Sequence, residues 1–164
     1  MATYIQIGST VTVGAGGAAY VEFASIPSTY TDILIKLSTR SDNAGVYNGV
    51  QITLNGASVT GRRLGMENSA TYSDTTPYPY SNAAGSTAST FANTEIYIPN
   101  YASTTTYKSI SVDSVSENNA SNNGMDFVAA LYSANTAVST VRVTPGASNF
   151  VQYTTASLYG ISKS

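Results

Sequence analysis

The chain has no cysteine and no histidine in 164 residues. Without cysteine, neither a disulfide nor a thiolate metal site can hold the fold together, and the chain is indifferent to its redox compartment. Without histidine there is no Ser-His-Asp or Cys-His arrangement, no imidazole zinc site, and no ordinary side-chain acid or base titrating near neutrality. Charge is scarce as well: 10% of residues are charged, against about 25% in an average soluble domain. The seven Lys and Arg residues are scattered singly apart from Arg62-Arg63. Nucleic-acid binding needs a clustered basic footprint, so nucleic acid is not an expected partner. No segment approaches the roughly 18 consecutive apolar residues of a membrane span. Met1 is followed by ATYIQIGST, with no basic region leading into an apolar run, so cytoplasmic synthesis without a membrane partner is the expectation.

Disorder would go with low hydrophobicity and high net charge. Here 42% of residues are apolar, 13 are Tyr and the net charge is -2, which describes a folded chain whose polarity comes from Ser, Thr, Asn and Gly. The length fits a single domain over 1–164, and a globule of this size buries roughly 70% of its unfolded surface.

The most ordered pattern runs from Thr94 to Asn118. Ile96 and Ile98 share one face of a strand, Pro99-Asn100 turns the chain, and Ile110 and Val112 then alternate with Ser109, Ser111 and Asp113. Upstream, Val21 and Phe23 share a face. TDILIKLS at 31–38 sets Ile33, Ile35 and Leu37 inward, with Leu34 implying a contact on the other face. Val50, Ile52 and Leu54 precede Asn55-Gly56, a hairpin signal if 58–64 pairs back. Downstream, Met125, Phe127, Ala129 and Leu131 share one face, Val141 and Val143 another, and 156–161 closes the chain. Residues 1–17 read as an N-terminal arm or an edge hairpin broken by GAGGAA. Between Gly65 and Thr90 the periodicity fails, which predicts a long exposed loop. About eight to ten strands with frequent turn signals predict an all-β antiparallel β-sandwich, and the long excursions between neighbours favour a jelly roll.

Candidate site residues have plain readings beside the functional ones. Tyr72, Tyr78 and Tyr80, in YSDTTPYPYSN, offer rigid apolar area with hydroxyls, suited to a protein interface or a sugar platform; the same rings could fold back to shield the core. The Tyr78-Pro79 bond could populate cis. Arg62 and Arg63 point to opposite faces of a strand, so at most one faces an acidic partner, and either could pair at home with Glu67 or Asp74. Asn118, Asn119, Asn122, Asn123 and Asp126 around Gly124 carry oxygen ligands, but the spacing is not that of an EF-hand and these residues also make plain turns. No metal or other cofactor is expected. Of the nine carboxylates, only Asp113 and Glu117 sit close on one strand face, and a glycosidase needs a pair at a defined separation. No catalytic residue is identified.

IPSTYTDILIKLSTRS at 26–41, VQITLNG at 50–56, FANTEIYIPNYASTTTYKSISVDSVSENN at 91–119 and VRVTPGASNFVQYTTASLYGI at 141–161 together resemble small virion structural proteins of tailed bacteriophages, common among phages of aquatic bacteria and cyanobacteria. The likeness lies outside the 65–90 segment and rests on strands and turns, not on a catalytic signature. It implies a non-enzymatic β-sandwich on the outer capsid surface of the virion, a decoration or cement protein. Its partners would be the major capsid protein and further copies of itself, as in a homotrimer. The expected docking elements are residues 1–17, with Tyr4 and Ile5, or the Tyr72–Tyr80 loop. The alternative is a tail or head-fibre module binding host surface glycans through that loop, a reading weakened by the absence of Trp.

Overall fold

The alternation of Ile33, Ile35 and Leu37 with polar neighbours builds the strand around which the larger of two sheets is organised. The computed structural model describes residues 3–118 and 122–162. In chain order the strands are β1 (Thr3–Gln6), β2 (Val11–Thr12), β3 (Val21–Phe23), β4 (Asp32–Thr39), β5 (Tyr47–Leu54), β6 (Ala57–Ser58) and β7 (Thr60–Glu67). They continue as β8 (Ala70–Asp74), β9 (Tyr80–Asn82), β10 (Ala92–Ile98), β11 (Lys108–Glu117), β12 (Asn123–Tyr132), β13 (Val141–Pro145) and β14 (Thr155–Ser162). The described residues contain no helix, hence none long and apolar enough to cross a membrane.

Nine strands form one sheet in the order β1-β14-β4-β10-β11-β12-β7-β8, with β2 also on β14; five form the other, β3-β13-β5-β6 with β9 on β5. All strand pairs are antiparallel. The sandwich agrees with the sequence reading, whereas the unequal sheets do not establish the finer jelly-roll expectation. Ile33, Ile35, Ile96, Ile98, Ile110 and Val112 from the large sheet meet Val50, Ile52, Leu54, Val141 and Val143 from the small one in a single buried core. Fully burying an aliphatic side chain contributes about 1.5–3 kcal/mol, so these stripes are the principal source of stability.

Three expectations need correction. Asn55 and Gly56 both have positive φ, 49° and 80°, as a two-residue hairpin turn requires, but the return strand pairs back only through Ser58. The chain then leaves the small sheet and joins the large one as β7, because Arg63 and Leu64 find partners on β12. Of the expected 1–17 arm or hairpin, the described residues 3–17 form neither: β1 and β2 both run along β14 as an interrupted edge strand, with Ile7 N donating to Leu158 O at 2.8 Å. The 65–90 segment is not an exposed loop either. It contains the end of β7, all of β8 and β9, and buried Pro77, Pro79, Ser81, Asn82 and Ala83. Its polar composition hides this because it packs by hydrogen bonds, not by an apolar stripe.

The last part of that segment is held by Arg40, just beyond β4. Its guanidinium donates to the carbonyls of Thr87 (2.8 Å), Thr90 (3.0 Å), Ser86 (3.1 Å) and Ala84 (3.4 Å), gathering a turn that has no core of its own. Arg40→Ala is expected to cost about 1–2 kcal/mol, the scale of one or two partly exposed charge-assisted hydrogen bonds. It should also open residues 84–90 to protease before the rest of the chain; limited proteolysis with mass mapping tests this, and an unchanged cleavage pattern would contradict it.

Candidate functional site

β11 changes character along its length. Its inward residues are Ile110 and Val112 at one end and Ser114 and Ser116 at the other, so the sandwich has an apolar end and a polar end. The polar end is filled by residues 70–82. Tyr80 pairs with Gly49 of β5, and its carbonyl accepts from Ser114 Oγ (2.9 Å) and Ser116 Oγ (3.2 Å). Pro77 and Pro79 are buried, and every described peptide bond is trans, Tyr78-Pro79 included.

At the centre of this plug lies Arg63, buried at 6% exposure. Its Nη2 donates to Asp74 Oδ2 (2.6 Å) and Tyr80 Oη (3.3 Å), and its Nη1 donates to Tyr78 O (2.9 Å). The guanidinium carbon lies 4.1 Å from the ring centre of Tyr80 and 5.0 Å from that of Tyr72, cation-π distances. Asp126 completes the cluster 3.8 Å from Arg63 Nε, accepting from the Tyr72 hydroxyl and, through Oδ2, from Tyr80 N at 2.7 Å. Tyr47 stacks on Tyr80 with centres 5.3 Å apart. Gly65 admits the arrangement, because a Cβ there would overlap the Tyr72 ring.

Burial pushes the Asp126 carboxyl above the ordinary range, against the opposing pull of Tyr72, Tyr80 N and Arg63. The Arg63 hydrogen bond holds Asp74 below it. Burial raises Tyr72 strongly and brings Tyr47 to about 12, so both phenols stay protonated. The cluster is therefore a charge-compensated internal support. Both rings that interact with Arg63, and the carboxylates that neutralise it, belong to the same chain.

Of the residues singled out from sequence, Tyr72, Tyr80 and Arg63 are brought together here, Tyr78 contributes its carbonyl, and Arg63 pairs at home with Asp74. Arg62 points outward on β7. Tyr4 and Ile5 are exposed on β1, about as far from the plug as the sheet allows. Asp113 and Glu117 both face outward on β11, their Cα atoms about 13 Å apart at the rise of a strand, and Glu117 Oε1 is turned back to accept from Asn118 N (2.9 Å). Asp126 turns inward while Asn123 is exposed, and Asn119 lies outside the described residues. Among the described residues no group of three or more Asp and Glu is placed to hold a metal ion.

Sequence reasoning missed the outer face of the large sheet. Antiparallel partners share a face, and Val112 pairs with Val128, so β12 turns Asp126, Val128, Ala130 and Tyr132 inward and Met125, Phe127, Ala129 and Leu131 to solvent. An apolar stripe ordinarily marks the core side of a strand; here it marks the opposite side. Leu64 lies beside Phe127 and Met66 beside Met125, with Val115 on the other flank. Together they line a shallow apolar depression of about 340 Å³. Leu64 and Phe127 are each 61% exposed. A second apolar group, Tyr4, Leu34 and Tyr159, lies toward β1, and the Lys36–Glu95 ion pair (2.8 Å) borders it. Comparison with family models, curated proteins and solved structures finds no match to this chain.

Proposed function

We propose that this protein is a non-enzymatic structural component of a tailed-phage particle, a decoration or cement protein lying against the major capsid shell. The observation that carries the reading is the outer face of the nine-stranded sheet. Its β1 end sets Tyr4 beside Leu34 and Tyr159 and terminates in an open edge strand, so that end resembles a layer awaiting a cover more than a solvated surface. The phage assignment itself comes from the resemblance of the strand-and-turn segments. A cement protein strengthens a shell by adding interface, about 1,600 Å² in a standard contact, repeated over many copies. The β1 end suits shell docking, because Tyr4 and Ile5 stand open on an edge strand whose free backbone could extend a neighbouring sheet.

The glycan-binding alternative needs open aromatic rings at 72–80. Tyr80 packs on Tyr47 and Arg63, and Tyr72 on Arg63, which leaves that reading less support.

Immunogold labelling of purified particles is expected to place this chain over the whole head. Label restricted to the tail or one vertex, or absent from particles, would overturn the reading. The double variant Tyr4→Asp, Ile5→Asp should keep its fold and lose head binding by about tenfold or more, since central apolar anchors dominate interface energies.

A further inference from the structure

All six described Lys and Arg residues but one have a partner within the chain. Lys36 pairs with Glu95, Arg63 with Asp74 and Asp126, and Arg142 with Glu22, while Arg40 and Lys108 are surrounded by backbone carbonyls. Among the described residues Arg62 is the exception, and it points out of the same face as Leu64 and Phe127. On the far side of that patch stands Asp113, beside Phe127 in register and likewise without a counter-ion among the described residues. Burial by its neighbours pushes the Asp113 carboxyl upward and Glu95 adds to the effect, so its anion gains from an approaching cation.

The two charges cannot meet within one chain. Arg62 pairs in register with Ala129 on one side of β12, and Asp113 with Phe127 on the other. Two strand spacings and a two-residue offset separate their Cα atoms by about 12 Å, with the apolar ridge between them. A two-fold axis lying in the plane of this face, and crossing β12 between Phe127 and Ala129, exchanges the two positions. Each Arg62 then meets the partner copy's Asp113, and the two Phe127 rings come together near the axis.

We infer that the outer face of β7, β12 and β11 is an isologous interface with a second copy of this chain, anchored by Leu64 and Phe127 and held in register by two reciprocal Arg62–Asp113 pairs. The area is adequate. Leu64, Val115, Met125, Phe127 and Leu131 leave roughly 500 Å² of apolar side chain in water, at the upper end of what a monomer exposes. With Ala129 and Ser111 beside the axis, Thr71 farther out and the two charged residues flanking the ridge, it approaches the roughly 800 Å² per partner of a stable complex. An unrelated partner would need only apolar surface, whereas unpaired opposite charges at exchangeable positions are what a second copy matches. The inference does not rest on the phage assignment.

Sedimentation velocity on the full chain from 5 to 200 µM is expected to show a monomer–dimer equilibrium (on the order of micromolar, at the weaker end for such an area). Phe127→Ser should raise the dimer dissociation constant about 30-fold or more, with an unchanged circular dichroism spectrum because the side chain lies outside the core. Leu64→Ser serves if that variant does not fold. Arg62→Asp and Asp113→Arg should each weaken the dimer about tenfold by opposing like charges, and the double swap should restore it to within about threefold. A monomer throughout, a trimer, or a dimer insensitive to Phe127→Ser and Leu64→Ser would overturn the interface. Charge swaps without effect, or a double variant no better than the singles, would overturn the two-fold register.

Discussion

Arg63→Met is expected to destabilise the protein by about 3–5 kcal/mol, the scale at which removing one partner strands a buried charge. Three losses combine. Asp126 is almost wholly enclosed and would keep its carboxylate without a neighbouring cation; Tyr78 O would lose its donor; and Tyr72 and Tyr80 would lose the guanidinium against which they pack. The replacement matches the length of the stem but supplies no donor, so packing is retained while the electrostatic role is removed. A thermal midpoint lowered by roughly 10 °C is the corresponding shift for a chain of this size. The double variant Arg63→Met, Asp126→Asn should recover part of the loss, since it removes the stranded charge together with its partner. A single substitution costing under about 1 kcal/mol would show that water reaches the cluster and that Arg63 behaves as a surface residue.

The same cluster has a pH signature. Asp126 has a folded pKa above its unfolded value near 3.9, so between the two values the folded state holds more proton and stability falls as pH rises through that window. Asp74 acts in the opposite sense. Its depressed folded pKa gives stability that is complete above the unfolded value and is lost as pH falls through the folded one. The stability of wild type relative to Asp126→Asn, measured by urea titration, should therefore rise as acid is added from neutrality toward pH 4. A difference independent of pH would mean that Asp126 titrates in the fold as it does in the unfolded chain.

How much of this was legible in the sequence depends on which forces left a pattern. The stripes of β4, β5, β10 and the first half of β11 could be read because apolar burial imposes a period of two. The plug could not, because its residues are held by specific partners: Tyr80 by serines more than 30 residues away, Arg63 by Asp74 and Asp126 on two different strands. One signal was available. The inward stripe of β11 passes from Ile110 and Val112 to Ser114 and Ser116 without changing phase, which announces a polar neighbour at that end. The exposed stripe of β12 misleads for a physical reason. Periodicity identifies a face but not which side is covered, and only the register with β11 decides it.

The loops at the apolar end depend on a single ammonium group. Lys108, the first residue of β11, is 1% exposed, and its Nζ donates to Ser103 O (2.6 Å), Thr136 O (2.6 Å), Thr106 O (3.0 Å) and Ala134 O (3.4 Å). Two connections, one before β11 and one after β12, thus converge on the same charge, with Val138 N donating to Tyr101 O (2.8 Å) between them. Burial draws the Lys108 pKa below its ordinary value, a cost that the surrounding carbonyl dipoles offset only while all remain directed at the nitrogen. Lys108→Met keeps the stem and removes the donors, and should cost about 3 kcal/mol, since hydrogen bonds to a charged group contribute about 1.5–3 kcal/mol each and water can replace some of them. Lys108→Arg should not rescue it, because a planar fork cannot replace a compact group with donors directed to four carbonyls around it. Hydrogen exchange is expected to quicken first at 101–106 and 134–138, with β4 and β10 unchanged. Wild-type protection in those two segments, or full rescue by arginine, would show that the loops close without the ammonium.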